Sequence, residues 1–354
     1  MASNRVVGLD IGTTCVRAAE LEFAGGSRRG RRDPSLHRYG QVGLPPGAVV
    51  GGEVADSGIV AAAVRDLWHQ AKFSTRDVVI GVGNQRVLVR ELDLPWMPAS
   101  QIKAALPYQV QESLPMSVDE ALLDYFPTGE YDSPTGRAIQ GMLVAAQRDT
   151  VNANLLAVES AGLRTTMVDL NAFALLRAMI HGELEERVVA LVDIGAKITN
   201  VVIAHHGSPR FIRTLPAGGQ DVTDAVAGAL GVPAHEADMI KREIGVGFAV
   251  SPDRTVAATA IATPVQTLLE AVRNTFVYYQ GKSPGAGIEV VVLTGGGSHL
   301  PGLGQYLASA SRLPVTLGDP LAGVKVTRSV DRRLITGNES LMALPLGLAY
   351  GVAA

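Results

Sequence analysis

The chain has 354 residues, with 31 Lys+Arg against 34 Asp+Glu, a formal charge of −3 and a single cysteine, Cys15. This length suits about two domains, each large enough to bury a core. The balanced charge argues against a protein that coats nucleic acid. One cysteine excludes a disulfide framework and any multi-cysteine metal centre, which points to a reducing compartment such as the cytosol. No run of 18 consecutive apolar residues and no signal-peptide pattern occurs, so a soluble protein is expected, with any membrane role supplied by a partner.

In chain order, three strands are expected at 5–10, 15–23 and 36–42. Between the second and third, Arg28, Arg29, Arg31 and Arg32 stand among glycines in a segment read as a solvated loop rather than a lipid contact. A helix begins near Asp56, with Ile59, Val60, Ala63, Val64 and Leu67 at helical spacing, and a buried strand follows at 78–82. Residues 85–163 read as strand, helix, strand, strand, helix. The first helix carries Pro107, the two later strands are joined by the turn 132–136, and Gly162 provides a left-handed cap for the last helix. On the first helix, the stripe Ile102, Leu106, Val110 and Leu114 reads as the core of the unit's own sheet.

An internal repeat follows. Val7-Gly8-Leu9-Asp10-Ile11-Gly12 returns as Ala190-Leu191-Val192-Asp193-Ile194-Gly195, each copy an apolar strand, a turn and a second apolar strand. Two lobes of similar fold facing one another are implied. A third glycine element, Thr294-Gly295-Gly296-Gly297-Ser298, follows a late buried strand, and a last helix at 341–351 is expected to cover the second lobe's sheet.

Three strand-to-glycine loops suit a nucleotide, because glycine lets backbone N–H groups approach a phosphate closely. Neither a Gly-x-Gly-x-x-Gly nor a Walker-type lysine loop is present. Asp10 and Asp193 would repel phosphate directly; their natural task is to hold Mg²⁺ through its waters. His205-His206 lacks ligand spacing to other metal-binding residues and reads as a turn.

The two phosphate loops, the late glycine loop and the duplicated lobes resemble the actin/DnaK/sugar-kinase superfamily. Within it the chain is similar to the PilM family, the FtsA-like proteins of type IV pilus assembly. The resemblance is carried by the stretch from Val7 to Ala18, by Leu92-Asp93-Leu94-Pro95, by Leu143-Val144-Ala145-Ala146-Gln147-Arg148 and by Asp193-Ile194-Gly195-Ala196 with Thr199-Asn200. It implies an α/β, actin-like ATPase fold of two RNase H-like lobes with an FtsA-type subdomain IC inserted in the first. The implied division is IA at 1–77 and 164–186, IC at 78–163, IIA at 187–217 and 286–354, and IIB at 218–285.

The resemblance also implies roles. Asp10, Gly12, Thr13, Thr14 and Cys15 would form the first phosphate loop, with Arg17 close by; Asp193, Gly195, Ala196 and Lys197 would form the second. Asp238 and Lys241, three apart on one helix face, would contact ribose and adenine unless they are a solvated ion pair. Gly295, Gly296, Gly297 and Ser298 would contact adenosine. The cofactors would be ATP and Mg²⁺. The partner would be the N-terminal cytoplasmic peptide of a PilN-like inner-membrane protein, docked between IC and IA, with pilus assembly ATPases as further candidates.

Two departures are visible. Cys15 stands where a hydroxyl is commoner, and Ala196-Lys197 replaces a glycine-rich second loop. No carboxylate or glutamine is placed to direct a hydrolytic water, Asn171 being the nearest candidate, so hydrolysis is expected to be slow or absent and the nucleotide to act as a clamp. A small-molecule kinase of the same superfamily and a filament-forming FtsA-like division protein are the alternative readings.

Overall fold

The computed structural model describes residues 5–23, 34–134, 136–283, 285 and 287–351. The Arg28–Arg32 loop and Thr135 of the 132–136 turn lie outside them.

The first lobe opens with β1 (Arg5–Ile11), β2 (Cys15–Glu22) and β3 (Ser35–Gly43), then the two-residue strands β4 (Val49–Val50) and β5 (Glu53–Val54). Helix α1 (Ser57–Ala71) starts where the Asp56 carboxylate accepts from Ile59 N at 3.0 Å and stops at Lys72 in the left-handed region. Then come β6 (Asp77–Val82), β7 (Val87–Pro95), α2 (Ala99–Val110), β8 (Ala121–Ser133), β9 (Gly136–Gln147), α3 (Arg148–Ser160), β10 (Arg164–Leu170) and α4 (Asn171–Met179). The second lobe holds β11 (Val188–Ile194), β12 (Thr199–His205), β13 (Ser208–Leu215), α5 (Gly219–Leu230), α6 (Ala234–Ile244), α7 (Thr255–Lys282), β14 (Val290–Thr294), α8 (Leu303–Ser311) and β15 (Val315–Leu317). Strand β16 (Lys325–Val326) and α9 (Ala343–Tyr350) close the chain.

The repeat is realised strand for strand. The larger sheets run β10-β6-β1-β2-β3-β16 and β13-β12-β11-β14-β15. In each, the first repeat strand pairs antiparallel with its successor and parallel with a later strand, β6 in one lobe and β14 in the other. One face of the first sheet is covered by α1 and α3, through Val60, Val64, Leu67, Ala157 and Val158 against Val7, Leu9, Val78 and Ile80. The second is covered by α5, α7 and α8 through Val226, Ile261, Val265, Leu268 and Leu307.

The opposite faces correct an expectation. Helix α9 lies on the first lobe's sheet, where Leu348 meets Val79 and where Leu346 and Ala349 meet Ala19 and Leu21. The second sheet is covered instead by α4, whose Leu175 and Leu176 pack with Val189, Leu191 and Val202. Each lobe's sheet is therefore covered by a helix from the other half of the sequence, and the two helices touch. Gly347 is required there, since a Cβ would fall inside contact distance of the Ala174 carbonyl. Strand β16 likewise pairs with β3 in the first sheet.

The inserted unit is narrower than 78–163. Strand β6 is hydrogen-bonded between β1 and β10, and α3 packs on α1, so both belong to the first lobe. The separate sheet, β7-β9-β8, spans residues 87–147 with α2 on it. The stripe Ile102, Leu106 and Val110 packs against Leu94, Tyr125, Ile139 and Leu143, as expected. By length and composition Pro252–Lys282 is long and apolar enough to cross a membrane, yet Ile261, Val265, Leu268 and Phe276 of this stretch are buried in the second core.

Candidate functional site

The ends of β1 and β11 build two equivalent turns. Gly12 N donates to Cys15 O at 3.0 Å, and Gly195 N donates to Ile198 O at 2.8 Å. A Cβ on Gly195 would stand 2.7 Å from that carbonyl, so the second turn requires glycine. Across the ladders, Asp10 pairs with Arg17 and Asp193 with Asn200. The late glycine loop closes beside them: Gly295 has a φ of +79°, and a Cβ there would stand 2.8 Å from Asp193 Oδ1.

These loops meet in one cleft of about 570 Å³ between the lobes. It is lined by Asp10, Gly12, Thr13, Thr14, Cys15 and Arg17 from the first lobe, and by Asp193, Gly195, Ala196, Asp238, Lys241, Gly295, Gly296 and Gly297 from the second. Asn171, the first residue of α4, is on the same wall.

Two expected residues are elsewhere. Lys197 turns away from the cleft, its Nζ 2.8 Å from Asp221 Oδ1 and 2.5 Å from Asp224 Oδ2 on α5. Ser298 donates its Oγ to Gly295 O at 2.6 Å, which ties the glycine loop to itself. Lining residues that pattern-reading missed include Gln41, Asn84, Asn154, Gln220, Arg242, His299 and Ser340. Arg242 had a signal, its place beside Lys241; the others come from segments without a motif and reach the cleft only through folding. His205 and His206 stack at 4.3 Å at the β12–β13 turn, where His206 has a φ of +51°. Among the described residues no group of three or more His, Cys, Asp or Glu could hold a metal.

Asp238 and Lys241 are not a solvated pair. Lys241 Nζ lies 2.5 Å from Asp238 Oδ1, donates to Thr223 Oγ1 at 2.8 Å and to Gly219 O at 3.2 Å, and its side chain is 12% exposed. The lysine thus clasps α6 to the start of α5, where Gly218 N donates to Asp221 Oδ2 at 2.8 Å. Arg242 Nε donates to the other Asp238 oxygen at 2.7 Å.

Comparison with known proteins places this arrangement. The family profile described as type IV pilus assembly protein PilM matches residues 8–351. The chain belongs to the PilM family. A solved structure of a PilM-PilN type IV pilus biogenesis complex superposes with a TM-score of 0.83 and 26% identity, covering 97% of each chain. The ethanolamine utilization protein EutJ of Carboxydothermus hydrogenoformans has a TM-score of 0.55 and 16% identity, covering 99% of this chain and 90% of that one. MreB5 of Spiroplasma citri, solved with ADP, has a TM-score of 0.55 and 12% identity, covering 99% and 97%. Both show the actin-like fold alone.

Among curated proteins, cell division protein FtsA of Bacillus subtilis is 23% identical over 281 residues, 73% of this chain and 62% of that protein. FtsA of Pseudomonas aeruginosa is 24% identical over 361 residues, 89% of this chain and 83% of that protein. The chain spans less than two thirds of the Bacillus subtilis relative's length.

In this PilM-family chain the cleft holds two buried carboxylates under unequal control. Burial raises the pKa of Asp10, and the Arg17 guanidinium, 3.5 Å away, opposes the rise. Burial pushes Asp193 up to about 6, against hydrogen bonds from Thr294 and Asn200 and with Asp10 adding to the rise. Thr294 Oγ1 donates to Asp193 Oδ1 at 3.0 Å. Burial also raises the Cys15 thiol, which keeps it protonated and inert. Two carboxylates without further protein ligands suit a hard cation that keeps waters and shares phosphate oxygens, the manner of Mg²⁺. Gly12, Gly195 and Gly295 hold their turns tight against the chain's own carbonyls and carboxylate, where a Cβ would collide. The residues present fit a magnesium-bound nucleotide.

Proposed function

We propose that this PilM-family chain is an ATP-binding actin-like scaffold of the pilus assembly platform, docking the short cytoplasmic N-terminal tail of a PilN-like inner-membrane protein. The observation that carries the reading is the meeting of Asp10 and Asp193, ends of equivalent strands, across one cleft. Asp10 and Asp193 would hold Mg²⁺, which when bound neutralises phosphate charge. Thr13, Thr14, Cys15 and Arg17 on one side, and Gly195 and Ala196 on the other, would bind the phosphates. Asp238 and Lys241 would take the ribose, and Gly295, Gly296 and Gly297 the adenosine.

Asn171 is the residue the reading places nearest a hydrolytic water. Asn171, a neutral amide, is a poor general base, so hydrolysis would be slow and the nucleotide would hold the lobes together. The lobes read as IA with IC and IIA with IIB, IC being the inserted sheet and the peptide seat lying between it and IA. The known complex of a relative with PilN supports a partner of that kind. The partner would hold the chain at the cytoplasmic face of the membrane.

Calorimetry with Mg²⁺-ATP tests the central claim: binding to the wild type that Asp10→Ala abolishes is expected. A wild type that binds no nucleotide in Mg²⁺ defeats it. A tail peptide that binds in no nucleotide state defeats the docking half.

A further inference from the structure

The inserted sheet is joined to the first lobe by two strands of chain, and both carry an asparagine into the cleft. The first connection runs from β6 through Gly83 and Asn84 to β7; the second runs from β9 into α3, which carries Asn154. Asn84 is 1% exposed and Asn154 5%. Asn84 is held: its Nδ2 donates to Gly52 O at 3.4 Å and its Oδ1 accepts from Arg86 N at 2.9 Å. The Asn154 amide makes no hydrogen bond among the described residues and faces the cleft. Asn171, at the start of α4, lines the same cleft, but its buried unpartnered atom is Oδ1, an acceptor that offers nothing to a phosphate oxygen.

The two connections are also stapled together at Arg86. Its carbonyl accepts from Gln147 N at 3.2 Å, its Nη1 donates to Asp149 Oδ2 at 3.3 Å, and its Nε lies 2.8 Å from Glu53 Oε1 in the first lobe. Asn84, which faces the cleft, thus holds the backbone of the residue that fixes the stem of the inserted sheet.

We propose that Asn84 and Asn154 form a sensor for the terminal phosphate of the bound nucleotide, built in where the inserted sheet joins the first lobe. The inference rests on nucleotide binding in the cleft. The chemistry favours it: amide N–H groups are donors to a phosphate oxygen, and the Asn154 amide, which lines the cleft, has no partner of its own among the described residues. Asp10 lines the same cleft, so the neutral asparagines add donors without repelling phosphate. A triphosphate engages Asn154, on the first-lobe helix that follows the second connection, and Asn84 of the first connection; a diphosphate leaves the Asn154 amide unpaired. The sheet's seating on the first lobe then follows the nucleotide, and Arg86 is the positioning residue that carries it.

The test uses the full chain with Mg²⁺-ATP and Mg²⁺-ADP, read by calorimetry and by hydrogen exchange over residues 87–147. The wild type is expected to protect that segment more with ATP than with ADP. Asn154→Ala and the isosteric Asn154→Asp are expected to weaken ATP at least about tenfold while leaving ADP within about twofold. Arg86→Ala is expected to keep ATP affinity but to abolish the difference in protection. ADP affinity of the Asn154 variants reports that they are folded. Unchanged ATP-to-ADP ratios in both, or equal protection of the wild type with both nucleotides, overturn the sensor while nucleotide binding stands. Binding of neither nucleotide by the wild type overturns the sensor together with the reading beneath it.

Discussion

Asp193 stands opposite Asn200 across the β11–β12 ladder, at the register where the first lobe sets Arg17 opposite Asp10. The fold is duplicated, but the charge partner is not. Burial raises both carboxylates and Arg17 opposes both rises, but its ion pair, 3.5 Å, is with Asp10, and Asp193 titrates at about 6.

The first prediction follows from that value. In the unfolded chain Asp193 titrates near 3.8, below its folded value of about 6. Ionised Asp193 therefore costs on the order of 3 kcal/mol of folded-state stability above pH 6. The cost shrinks as pH falls through 6 and vanishes below about 4. Asp193→Asn in EDTA is expected to raise the urea midpoint at pH 7.5 and to lose that advantage by pH 4. An equal gain at both pH values would show that the carboxylate is not buried as described.

Lys197 and Lys241 separate by their partners. Because Lys197 Nζ is held by Asp221 and Asp224 outside the cleft, Lys197→Ala is expected to change Mg²⁺-ATP affinity by less than about threefold. Lys241 lines the cleft and bonds Thr223 and Gly219, so Lys241→Ala is expected to cost about tenfold or more. Equilibrium titration of both variants decides it; the reverse order would return Lys197 to the phosphate site.

Gly347 marks the crossing of α9 over α4. A Cβ there overlaps the Ala174 carbonyl, backbone that cannot step aside without moving a helix. Gly347→Ala is expected to destabilise by about 3 kcal/mol, read as a lowered melting temperature. An unchanged melting temperature would mean that the helices are not packed this way.

Tyr125 tests the independence of the inserted sheet. Its hydroxyl lies 2.8 Å from Leu92 O and 3.0 Å from Ile139 O, inside that sheet's own core. Tyr125→Phe is expected to cost about 1 kcal/mol and to raise hydrogen exchange within residues 87–147 while the two lobes are unaffected. Exchange rising equally throughout would show that the sheet does not open as its own unit.

Local pattern was enough for much of this. Strand-length apolar runs ending in Asp-Ile-Gly, with matched elements behind them, made two lobes and a shared cleft legible, because a duplicated sequence must bury its duplicated faces alike. The spacing of Asp238 and Lys241 placed both on one helix face, and the stripe from Ile102 to Val110 marked its own core.

What sequence could not reach were choices between equally good surfaces. An apolar helix face states that it will be buried, not against which sheet. Helices α4 and α9 cross over because each finds its complementary groove on the other half's sheet, and only the packing of Gly347 on Ala174 decides it. Strand β6 reads as a buried strand anywhere, and its pairing between β1 and β10 moves the boundary of the inserted unit. Lys197 looks like a phosphate ligand until two α5 acids, Asp221 and Asp224, come near enough to hold it. The carboxylates, the glycine turns and the two lobes were legible along the chain, since all are properties of short stretches. The tertiary structure alone decided which charges meet, since electrostatic partners are set by distance in space and not by distance along the chain.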